Sequence, residues 1–170
     1  PVPKKAEPSA PHDNNDSKPH ASVQPSSGAL DQTNYPANHP ANQSHPQHAI
    51  YHQALTLVHA EDAKRNRKPD DNSERMALSL TGLAAKDGLS RIDHLVFSAD
   101  NGRGLKAGEN VIIVQGELNN SSHDRAHMKT IEAVNTPVLA SLQSLETIQQ
   151  QQLSQQHIQN APVQRGPTLA

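Results

Sequence analysis

From residue 48 onward the apolar positions Ile50, Tyr51, Ala54, Leu55 and Val58 recur at helical spacing. Pro46 stands just ahead, where a first helical turn tolerates it, so the pattern predicts a helix over residues 47–64. Residues 64–71 are charged, include Pro69 and read as a loop. Met76, Leu80, Leu83 and Ala84 then form the buried stripe of a second amphipathic helix. Asp71, Asn72 or Ser73 can cap its start, and Gly88 is placed to end it in the left-handed conformation. Two such helices joined by a short loop suggest a hairpin.

The period then shortens. Residues 92–98 and 110–116 are rich in Val, Ile and Phe and read as strands. Residues 99–109 between them carry Asp100-Asn101-Gly102 and two further glycines, a long hairpin loop. The continuous apolar runs 95–97 and 111–114 suggest strands covered on part of both faces, with Phe97 buried. A polar stretch leads to a predicted third helix over 123–134, with Met128, Ile131 and Val134 on one side. Thr136-Pro137 has the form of a cap and a first helical position, and Val138, Leu142 and Leu145 continue the stripe of a fourth helix. The predicted fold is α+β: a small antiparallel hairpin or sheet, with room for a third short strand, packed against three to four helices.

Composition explains where this pattern stops. Apolar residues make up 33% of the 170 and mean hydropathy is −0.76, against roughly 45–50% apolar in ordinary globular domains. The deficit lies at the ends. Residues 1–46 hold nine of the thirteen prolines, with scattered apolar residues and many His and Asn, and read as a disordered linker. Residues 47–150 form the predicted globular domain, and 151–170 a flexible glutamine-rich tail, fraying from Gln149. The chain begins at Pro1 without Met, which reads as a fragment or processed product joined to something upstream.

Several chemistries are set aside. Without cysteine there is no disulfide, thiolate zinc site or Cys nucleophile. No run approaches the ~18–20 apolar residues of a membrane span, and a net charge of −2 leaves no footprint for nucleic acid or anionic lipid. His123-Asp124-Arg125-Ala126-His127 would put two imidazoles on one helix face, as in zinc proteases. Asp124 is shorter than the Glu that motif needs, and no third ligand is evident, so two histidines on a polar helix is the plainer reading. Asp93 and His94 are adjacent in a strand and point to opposite faces, so Asp93 fixing a turn and His94 packing beside the sheet is favoured over an acid–base pair. No catalytic residue, metal or cofactor is expected.

Four segments carry a resemblance: Gly88-Leu89-x-x-Ile92-Asp93-His94, Val114-Gln115-Gly116, His123-x-Arg125-Ala126 and Asn135-Thr136-Pro137-Val138. In this order and spacing they resemble the XVIPCD, the carboxy-terminal recognition domain of antibacterial effectors secreted by type IV secretion systems. The likeness runs from His48 to the end. The loop 101–110 is longer than the family pattern, Ile112-Ile113 replaces a Phe-Ala pair, and Leu139 stands where an acidic residue is common.

The resemblance implies a monomeric binding module rather than an enzyme. Its partner would be the all-α domain of the coupling ATPase, with the toxic activity, and any cognate immunity protein, belonging to an upstream domain. The chain would lie in the bacterial cytoplasm before export into a target cell. An adaptor or immunity-type binding protein is the alternative, and a His-dependent metallohydrolase a third. Asp93, His94, Gln115, Arg125, Asn135 and Thr136 are the motif positions least explained by core packing and hence the candidate interface. Thr136 can also cap a helix and Asp93 hold a turn. Gln115 and Arg125 are favoured because their long polar ends suit local capping less.

Overall fold

The computed structural model describes residues 35–160. Helix α1, His48–Lys64, buries Ile50, Tyr51, Ala54, Val58 and Asp62, a stripe one side wide. Helix α2, Asp71–Lys86, is buried almost all round, from Met76 through Thr81 and again at Ala84 and Ala85. A helix covered on nearly all sides lies at the centre of its fold: α1 packs on one side of α2, and two later helices, α3 (Thr130–Asn135) and α4 (Val138–Gln159), also pack against it.

The cap of α2 is Asp70, one residue before the expected candidates. Its carboxylate accepts from the backbone of Asn72 (2.9 Å) and Ser73 (3.1 Å), while the Ser73 hydroxyl accepts from the Asp70 N–H (3.1 Å). The same hydroxyl donates to the buried carboxylate of Asp62 on α1, locking the two helices. At the other end Gly88, at φ +74°, lets Leu89 N–H reach back to Ala84 C=O (2.9 Å), a Schellman ending.

Three antiparallel strands follow in the order β1-β2-β3: His94–Phe97, Asn110–Gln115 and Asp124–Lys129. The register places Leu95, Ile113 and Ala126 in one row and Phe97, Val111 and Met128 in the next, both on the face that meets the helices. The alternate rows, His94-Val114-Arg125 and Val96-Ile112-His127, lie on the opposite face. Phe97 is half-buried rather than enclosed, with the Arg65 guanidinium 4.5 Å above its ring.

The helix expected over 123–134 is instead strand β3 followed by a six-residue helix α3, Thr130–Asn135. Residues 124–129 alternate, with Ala126 and Met128 inward, and pairing with β2 supplies the partners that a lone polar helix would lack. The apparent stripe Met128-Ile131-Val134 crosses the junction of the two elements, and Ile131 is 62% exposed. Helix α4, Val138–Gln159, starts at Pro137 without a side-chain cap. Thr136 instead closes α3, its hydroxyl and its N–H both donating to Glu132 C=O (2.7 and 3.0 Å).

The ends also differ from expectation. Helix α4 continues past Gln149 to Gln159, exposed but held at one point by Gln152, whose amide donates to Ala85 C=O (3.1 Å). Residues 36–46, placed by composition in the disordered arm, form a ladder of tight turns that runs into α1, with N–H to C=O bonds from His39 to Pro36, Asn42 to His39, His45 to Asn42 and His48 to His45. His39 and Pro40 are fully buried. The His39 ring stacks on Tyr35 at 4.1 Å and meets the edge of Tyr51 at 5.4 Å, and burial pushes its pKa down to about 4. Residues 1–34 and 161–170 lie outside the described residues, with the predicted disorder of the first and of the terminal tail.

Candidate docking surface

The candidate residues separate by the backbone groups they satisfy. The Gln115 side-chain oxygen accepts from Ser90 N–H (2.7 Å), Ser90 hydroxyl (3.1 Å) and Arg91 N–H (3.2 Å). It thereby caps the turn that leads out of α2, the role its length had argued against. The Asp93 carboxylate accepts from Gly116 N–H (2.7 Å) and from Arg91 Nε (2.7 Å), and the Arg91 bond, then the Gly116 bond, holds its pKa below the usual carboxylate value. Gly116 sits at φ +106°, a conformation that only glycine adopts freely. Leu89 and Ile92 are buried, and Ile92 N–H donates to the Gln53 side chain on α1 (2.8 Å). The first two motif segments thus hold each other across the open end of β1 and β2, with Asp93 in the turn-fixing role expected of it.

His94, Val114 and Arg125 have a different position. They come from three of the four segments, and the register aligns them in a single row on the outer face of the sheet. Val114 is buried there although it stands outside the main core, whereas Arg125 is exposed. Among the described residues Arg125 forms no ion pair. Val96, Ile112, His127 and Lys129 share this face. His127 and Lys129 escape the sequence reading because residues 123–134 read as a helix, and the weak inward alternation of Ala126 and Met128 is the available signal; Val96 and Ile112 stand in strands the sequence does predict, but their facing needs the register.

Asn135 and Thr136 lie elsewhere, at the α3–α4 junction, which Ser79 of α2 anchors through a bond to Ala133 C=O (3.0 Å). Asn135 lines a cleft of about 420 Å³ with Arg65, Phe97 and Thr130, and Thr136 a groove of about 640 Å³ between α2, α4 and β3. Ala126 is buried on the core side, Val138 half-buried, and Pro137 exposed at the start of α4. His123 precedes β3 and His127 lies within it, so the two rings do not share a helix face. An extended separation of four residues is roughly 13 Å, which removes the premise of a joint metal site. Among the described residues no group of three or more His, Asp and Glu could hold a metal, and no helix is long and apolar enough to cross a membrane.

The model of the family described as X-Tfes, XVIPCD matches residues 41–147, from the turn ladder to the middle of α4. All four motif segments fall inside that span. The family is a type IV secretion signal domain, not a catalytic one, and interacts with the coupling protein. No curated protein matches the chain.

Proposed function

The chain belongs to the X-Tfes XVIPCD family, and on that premise we propose that it is the recognition module by which an antibacterial effector is admitted to a type IV secretion channel. Its partner is the all-α domain of the coupling ATPase, which it meets in the bacterial cytoplasm before export into a rival cell. A toxin domain upstream carries the lethal activity and is the part that a cognate immunity protein would block. The observation that carries this reading is the family match, which spans every helix and strand of the fold except the end of α4. The motif polar groups Asp93 and Gln115 hold the turns at the end of β1 and β2, which gives the module a fixed surface to present.

Titration of the full chain with the isolated all-α domain, followed by calorimetry, tests the reading. Saturable binding at one-to-one stoichiometry is expected, of modest affinity because delivery requires release. In cells, an effector lacking residues 41–147 should remain behind. Absence of binding, or export that survives the deletion, would overturn the assignment.

A further inference from the structure

Resting on that reading, we infer that the outer face of the sheet is the docking surface, and that its occupant is an acidic amphipathic helix of the coupling ATPase's all-α domain. The face has an apolar strip in its middle and one sign of charge along its side. Val96 is 37% exposed, Ile112 half-buried, and the two stand opposite each other across β1 and β2. Arg125, His127 and Lys129 project from β3 beside them, all exposed. None of the outward positions on the three strands is a carboxylate, although the whole chain has a net charge of −2. The outward side of the strands is therefore positive, bordered by Glu109 and Glu132 where His127 and Lys129 also line the groove against α2 and α4. Among the described residues neither Arg125 nor Lys129 has an acidic partner within ion-pair distance.

The spacing selects a helix as the complement. Alternate residues of a strand lie roughly 7 Å apart, and carboxylates at i and i+4 of a helix lie about 6 Å apart along its axis. Acidic residues on one edge of a partner helix can thus meet Arg125 and His127, or His127 and Lys129, while its apolar face covers Val96 and Ile112. Addition of a partner strand to the β3 edge is disfavoured by the same charged side chains. Complementary charge would also speed encounter and make association fall with added salt.

The test uses the full chain and the isolated all-α domain. Arg125→Glu combined with Lys129→Glu should weaken binding at least tenfold and flatten its salt dependence, with the unfolding midpoint unchanged. Lys68→Glu combined with Arg103→Glu makes the same change of net charge at exposed loop positions and should leave affinity within about twofold. Wild-type binding that withstands the first pair, or falls equally with both pairs, overturns the docking face and leaves the proposed function standing. Failure of the wild-type chain to bind overturns the proposed function, and this inference with it.

Discussion

The two faces of the sheet put neighbouring residues to opposite uses. Along β1 and its approach, Asp93, Leu95 and Phe97 point inward, where they hold a turn or pack against helices. His94 and Val96, interleaved with them, point outward and contribute little to the core. The same alternation divides Ile113 from Ile112 and Ala126 from Arg125. A motif segment is therefore not a functional unit. In the first and third segments, alternate residues build the sheet and only those between them, His94 and Arg125, face outward.

Substitutions on β2 would separate the faces most widely. Ile113 is fully buried, so Ile113→Ala should cost about 3–4 kcal/mol in denaturant unfolding. Ile112→Ala should cost about 1 kcal/mol yet weaken binding to the all-α domain. Similar losses of stability at the two positions would collapse the distinction. Phe97, on the inward face but only half-buried, should fall between them at about 2 kcal/mol for Phe97→Ala.

Gln115→Ala removes the three bonds that hold the exposed turn at Ser90 and Arg91, with water taking up the freed donors, and a loss of about 1 kcal/mol is expected. Arg125→Ala should change stability by less than about 0.5 kcal/mol while reducing affinity. The reverse result, a stable Gln115 variant and an unstable Arg125 variant, would exchange their roles. The smallest effect concerns acid. Asp93 has a folded pKa below its unfolded value, so its contribution is present above the unfolded value and is lost as pH falls through the folded one. Asp93→Asn should make the acid limb of the stability curve shallower, whereas substitutions at outward positions, which include no carboxylate, should leave that limb in place.

Much of this division is legible in the sequence. The stripes of α1 and α2 and the β1–β2 hairpin are long periodic signals, and each stands where its pattern put it. Asp93 as a turn-holder is one of two uses the sequence offers, beside a place in the interface, and its bond to Gly116 N–H settles which the fold adopts. Gln115 as a turn-holder was not legible, since its partners lie 25 and 24 residues away, and only the fold brings them near. Strand β3 was misread because two inward residues, Ala126 and Met128, make a weak alternation that a chance helical spacing outweighed. Asp70 escaped notice because the reciprocal partner at the third helical position is Ser73 rather than Glu or Gln. The docking row needed the register, which no single segment contains.

The turn ladder sets where this unit can be cut. His39 and Pro40 are sealed inside, with Tyr35 laid over the His39 ring and Tyr51 against its edge. A graft that began at residue 47, the start suggested by the helical pattern, would strip that cover and leave Tyr51 of α1 facing water. The matched span, from residue 41, begins too late as well. To carry a foreign cargo as a portable address label, the transplanted piece has to start no later than Tyr35, with the spacer joined ahead of that ring.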